Sequence, residues 1–118
     1  MFSQQVLDHF QNPRDAGELD GATATVELTN PACGDVLRLA ARVEGGRIAE
    51  VRFKCSGCVP AMAAGSALTE LVTGRRVEEL DSIAEGDVIE VLGGLPPASR
   101  HAAQLAVETL RALRRGLP

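Results

Sequence analysis

Three runs of alternating apolar and polar residues follow one another between residues 24 and 54, joined by turns too short to hold a crossover helix. In the first, Ala24, Val26 and Leu28 face one way and Thr25, Glu27 and Thr29 the other. After the turn-forming stretch Asn30-Pro31-Ala32-Cys33-Gly34-Asp35, Leu37, Leu39, Ala41 and Val43 alternate with Arg38 and Arg42. Gly45-Gly46 makes a hairpin turn, and the third run sets Ala49, Val51 and Phe53 against Glu50, Arg52 and Lys54. Strands connected in this way pair antiparallel in chain order, with one apolar face that another layer must cover.

The rest of the chain reads as helical. Ser3 caps a short helix over Gln4–Gln11 that Asn12-Pro13 ends. Residues 61–73 carry Leu68, Leu71 and Val72 on an apolar face and stop at Gly74. The first half of that helix is rich in Ala, Gly and Ser, which suits close approach to a neighbour. Residues 81–92 read as one or two helical turns, and Leu95-Pro96-Pro97 as a rigid break. Ser99 is expected to cap a last helix with a buried stripe of Ala103, Ala106, Val107, Leu110 and Leu113, ending at Gly116. The expected fold is α+β in two layers, a three-stranded antiparallel sheet covered on one face by helices. It forms one domain over residues 1–118.

With three Phe and no Trp or Tyr, the core must be built from Leu, Val, Ile and Ala. A net charge of −4 argues against a nucleic-acid partner, which normally meets a basic face. Arg75-Arg76, Arg111 and Arg114-Arg115 read as solvated helix ends near C-terminal dipoles. No apolar run approaches the ~20 residues of a membrane span, and no signal-peptide pattern opens the chain, so a cytoplasmic location is expected. Thiols stay reduced there, and three cysteines then read as metal-binding or reactive, not as a disulfide framework.

Cys33, Cys55, Cys58 and His101 all lie at the edges of these elements. In a meander the start of the second strand adjoins the end of the third, so Cys33, Asp35, Cys55 and Cys58 reach one end of the sheet. Cys58 stands just before a helix whose Pro60 suits the first turn, where unpaired N–H groups favour a thiolate and lower its pKa. His101 also lies at a helix N-terminus, although strand order alone does not bring the last helix to the cysteines. Taken singly, each residue has an ordinary reading: Cys33 as a small hydrophobe, Asp35 as a turn residue, His101 as a helix-end residue bonding water. His9 reads as such a water-bonded residue with no role. Taken together, thiols and an imidazole at loop edges suit a soft-metal or iron–sulfur site.

Several separated motifs resemble, in order, the IscU/NifU-type iron–sulfur cluster assembly scaffolds. They are Val6-Leu7-Asp8-His9-Phe10-Gln11-Asn12-Pro13-Arg14, Asn30-Pro31-Ala32-Cys33-Gly34-Asp35, Phe53-Lys54 to Gly57-Cys58, Thr69-Glu70 with Gly74, and Leu95-Pro96-Pro97 followed by His101. The resemblance implies an IscU/SufE-like fold and a scaffold without turnover of its own. A cysteine desulfurase would donate sulfur, iron would join it, and a transient [2Fe–2S] cluster would pass to recipient apo-proteins. Cys33, Cys58 and His101 would be ligands, Asp35 a ligand or a labilising group, and Zn2+ would occupy the same residues at times. The alternatives are a zinc-dependent sulfur-transfer partner of a desulfurase and a divergent zinc-stabilised paralogue.

Two departures stand out. The family usually carries a cysteine directly after the histidine, where this chain has Ala102, and Cys55 stands where the family usually has none. Cys55 is therefore expected to substitute for the missing thiol. The family's binding stretch for an Hsp70-type chaperone continues after Leu95-Pro96-Pro97 with a valine and a lysine, where this chain has Ala98-Ser99.

Overall fold

A computed structural model describes residues 1–118. Its elements are α1 (Gln4–Gln11), β1 (Ala24–Thr29), β2 (Val36–Glu44), β3 (Arg47–Ser56), α2 (Val59–Val72), α3 (Glu85–Val91) and α4 (Arg100–Arg115), with 3₁₀ turns over Val77–Ser82 and Pro97–Ser99. The sheet is the expected antiparallel meander in the order β1-β2-β3. In β1 half-buried and exposed residues alternate strictly, as a strand with one covered face requires. The loop after α1 lines the outer edge of β3: Phe53 N donates to Asp15 O at 3.0 Å and Gly17 N to Phe53 O at 2.9 Å. Paired backbone groups there cover the edge of that strand around Phe53.

The third strand departs from simple alternation. Ala49 was expected inward beside Val51 and Phe53, but Ile48 is buried and Ala49 exposed. The register shifts between Arg42 and Val43, so that Arg42 faces Glu50 and Val43 faces Ile48, leaving Ala49 as the extra residue of a bulge. A bulge resets the period-two alternation, and the larger Ile48 takes the core position.

The helical layer is built around α2. Ala61, Ala63, Ala64, Ala67 and Leu68 are each 3% exposed or less, so α2 is buried on nearly every side, not on one stripe. A Cβ added at Gly65 would stand 2.8 Å from Cδ2 of Phe53 and 3.2 Å from Leu37, so this helix can lie on the sheet only without a side chain there. The stripe on α4 is as expected, with Ala103, Ala106, Val107, Leu110 and Leu113 buried. The Ser99 side chain makes no cap bond, because the Pro97–Ser99 turn runs directly into α4. Arg111 and Arg114 are not simply solvated. Arg111 donates to the carbonyls of Leu80 and Ile83 at 2.8 and 2.5 Å, and Arg114 pairs with Asp81 at 3.4 Å, fastening α4 to the 3₁₀ turn over Val77–Ser82 and to Ile83, which ends it.

His9 also departs from expectation. It is 5% exposed and shares a 2.7 Å hydrogen bond with Ser66 Oγ, while its Nε2 lies 3.7 Å from Glu70. Ser66 Oγ accepts from Arg14 N at 2.8 Å, and Arg14 Nε reaches Glu70 at 3.0 Å. This polar joint binds α1 and its following loop to α2. No helix is long and apolar enough to cross a membrane.

Candidate metal centre

The turn between β1 and β2 is held by its own polar groups. Asn30 Oδ1 accepts from Ala32 N at 2.9 Å, Gly34 N donates to Asn30 O at 2.7 Å, and Asn30 N donates to Asp35 O at 2.7 Å. Gly34 adopts φ +76°, a left-handed conformation that folds Cys33 back over Asp35 at little steric cost. The hairpin register then pairs Val36 with Ser56, which sets Asp35 beside the turn from β3 into α2. Topology thus delivers Cys33 and Asp35 to Cys58, the residue that precedes α2 as its N-cap.

Asp35 is the hub. Its carboxylate accepts hydrogen bonds from the Cys33 thiol at 3.1 Å, the Cys58 thiol at 3.2 Å and Cys58 N at 3.1 Å. The last helix closes the site: His101 Nε2 lies 3.7 Å from Cys58 Sγ and 3.7 Å from Asp35 Oδ2. The possible ligand atoms of Cys33, Asp35 and His101 all fall within 4.8 Å of one another, and Cys58 joins them through Asp35 and His101. His101 Nδ1 donates to the carbonyl of Ala98 at 3.1 Å, which turns Nε2 toward the thiols. That carbonyl is a functional group with no signature in the sequence, since any residue at position 98 supplies it.

The charge balance follows from the contacts. Burial works against ionisation of Asp35, but the Cys33 and Cys58 thiols, Cys58 N–H and His101 together outweigh it and hold the carboxyl below its ordinary range. Cys58 does not show the lowered pKa expected at a helix N-terminus. Burial raises its thiol, the Ala61 N–H pulls the other way, and Asp35 and Cys33 add to the rise, so the net shift is upward. Burial, with Asp35 and Cys58, pushes Cys55 up to about 11. These thiols stay protonated while the site holds no cation, and a soft cation is the partner that displaces their protons.

Cys55 is adjacent to this set but makes no hydrogen bond to it. It pairs across the sheet with Leu37, is half-buried, and lines a cleft of about 220 Å³ with Pro13, Phe53 and Met62. Ala102, which follows His101, is 1% exposed within the core.

Comparison with known proteins points to one family. A family model described as the NifU-like N terminal domain matches residues 1–114. The iron–sulfur cluster assembly scaffold protein IscU 1 of Archaeoglobus fulgidus is 40% identical over 111 residues, covering 94% of this chain and 72% of its own. The corresponding scaffold protein IscU of Azotobacter vinelandii is 40% identical over 115 residues, covering 94% of this chain and 89% of its own. Among solved structures, one described as an iron–sulfur cluster assembly scaffold for the SUF system of Fervidobacterium islandicum superposes with a TM-score of 0.81, covering 96% of each chain. At 22% identity that likeness speaks for the fold.

Proposed function

Because the chain belongs to the NifU-like N-terminal domain family, we propose that it is a scaffold on which an iron–sulfur cluster is assembled transiently and then released to recipient apo-proteins. One observation carries the reading: Cys33, Asp35, Cys58 and His101, drawn from three separate parts of the chain, meet around one shared carboxylate. The cluster is cargo here, and its proposed form is [2Fe–2S]. The mixed donor set suits that use. Two thiolates bind iron firmly, while an imidazole and a carboxylate are exchanged more readily than two further thiolates would be.

The residues divide the work. Cys33, exposed in its turn, meets incoming iron and sulfur first. Cys58 and His101 hold the inner side, with Ala98 O fixing the imidazole. Asp35 accepts hydrogen bonds from both thiols and would face the cargo that displaces their protons. Zn2+ suits the same four donors. A cysteine desulfurase is the proposed sulfur source, the cytoplasm the proposed location, and Leu95-Pro96-Pro97 the proposed contact for an Hsp70-type chaperone. Residues 1–118 serve as one scaffold unit, without turnover of their own.

Cys55 is proposed to take the thiol role left vacant at Ala102. Its place three residues before Cys58, and across the sheet from Leu37, which lies two residues after Asp35, supports the exchange. Anaerobic incubation with iron, sulfide and a desulfurase, followed by absorption spectroscopy, tests both readings. Charge-transfer bands are expected in the wild type and expected to be lost in Cys33→Ala. A reduced yield is expected in Cys55→Ser, and an unchanged spectrum and yield there would contradict its role. Persulfide on Cys55 in a colourless wild-type protein would support zinc-dependent sulfur transfer instead.

A further inference from the structure

We infer that Gly57 is a positioning residue for Asp35: the missing side chain at position 57 lets the carboxylate lie across both thiols and within reach of His101. This deepens the reading of the metal centre and rests on it. A Cβ built on Gly57 would stand 2.5 Å from Asp35 Oδ1, 2.7 Å from Asp35 Cγ and 3.0 Å from Asp35 Cβ. The first two distances are closer than real Cβ contacts come, so one side must move.

The geometry limits what can move. Turning the carboxylate about Cβ–Cγ shifts its oxygens but leaves Cγ in place at 2.7 Å, so that rotation does not relieve the clash. Backbone retreat is opposed on both sides. Asp35 O accepts from Asn30 N at 2.7 Å and the next residue, Val36, is paired with Ser56, while Cys58 N is held by Asp35 Oδ1 at 3.1 Å. The remaining motion is rotation about Cα–Cβ of Asp35, which carries the whole carboxylate off the Cys33 and Cys58 thiols. Gly57 does not have a left-handed φ, so an alanine there is acceptable to the backbone and the substitution tests space alone.

Cobalt(II) alone is the probe, added to the metal-free full chain, with the sulfur-to-metal and d–d bands as the readout. Cys33→Ala and Cys58→Ala serve as controls for the site itself. Gly57→Ala and Asp35→Ala are each expected to weaken cobalt(II) binding by about 10–100-fold and to give the same altered spectrum. The double variant is expected to match Asp35→Ala within about twofold, because a residue acting only through Asp35 has nothing left to act on. Wild-type affinity and spectrum in Gly57→Ala, or an equal further loss in the double variant, would overturn the inference. Should Gly57→Ala fail to fold, metal-free thermal melting decides: recovery of the fold by Asp35→Ala supports the contact, and failure of both variants overturns it. Bands of equal strength in the wild type and both cysteine controls would overturn the metal-site reading instead, while melting still reports the contact between Gly57 and Asp35.

Discussion

Burial decides the behaviour of individual residues more than their type does. His9 lies among Ser66, Glu70, Arg14 and Asp8. Burial lowers its pKa first and Arg14 lowers it further, against the opposing pull of Glu70 and Asp8. The fold therefore holds the neutral ring. The stability this contributes is fully present above the unfolded pKa of about 6.5 and is lost as pH falls from there through the lower folded value. Denaturant unfolding between about pH 7.5 and 5.5 is expected to show a smaller loss of stability in His9→Gln than in the wild type. Equal losses in the two proteins would show that His9 is not the responsible group. The position of His9 could not be read from the sequence, because its partners lie 57 and 61 residues away on a different helix. Asp35 is the opposite case, since strand order and the turn motif already place it beside both thiols.

At the scale of elements, alternation and turn chemistry made the meander legible, and with it the meeting of Cys33 and Asp35 with Cys58. Ala49 escaped because an alanine fits either face, and only the pairing of Val43 with Ile48 reveals the bulge. The burial of α2 on nearly all sides was hidden for a related reason: alanine, glycine and serine carry too weak a periodic signal to show which sides are covered. Gly65 is the critical point of that packing. By helix propensity alone Gly65→Ala would stabilise by about 1 kcal/mol. The buried Phe53 ring stands where the methyl must go, so the substitution is expected to cost about 1–3 kcal/mol instead, read by urea unfolding. Phe53→Leu in the same chain is expected to return part of the loss, and a net gain in Gly65→Ala alone would contradict the close contact.

For the whole molecule, one contiguous core of 27 buried residues joins both layers and positions α4, the element that completes the site. The arrival of His101 could not be deduced from its own neighbourhood. It depends on how Ala103, Ala106, Leu110 and Leu113 seat α4 against the sheet and on the Arg111 bonds to Leu80 and Ile83. Leu110 is fully buried, and Leu110→Ala is expected to cost about 2–5 kcal/mol by chemical denaturation. A loss below 1 kcal/mol would mean that α4 is held less firmly than this packing requires. A site assembled from distant parts of one core should also couple to folding. A saturating soft cation is expected to raise the melting temperature of the wild type, and to do so much less in Cys58→Ala.

The proposed function is transient assembly of a cluster on this chain followed by its release to an acceptor. The direct measurement is anaerobic reconstitution followed by mixing with an apo-ferredoxin, with visible absorption followed on each protein after separation. The expected result is a wild-type protein that gains charge-transfer bands and loses them as the ferredoxin acquires its own, with no bands forming in Cys58→Ala. Bands that stay on this chain, or that form equally well without Cys58, would contradict transient assembly at this site.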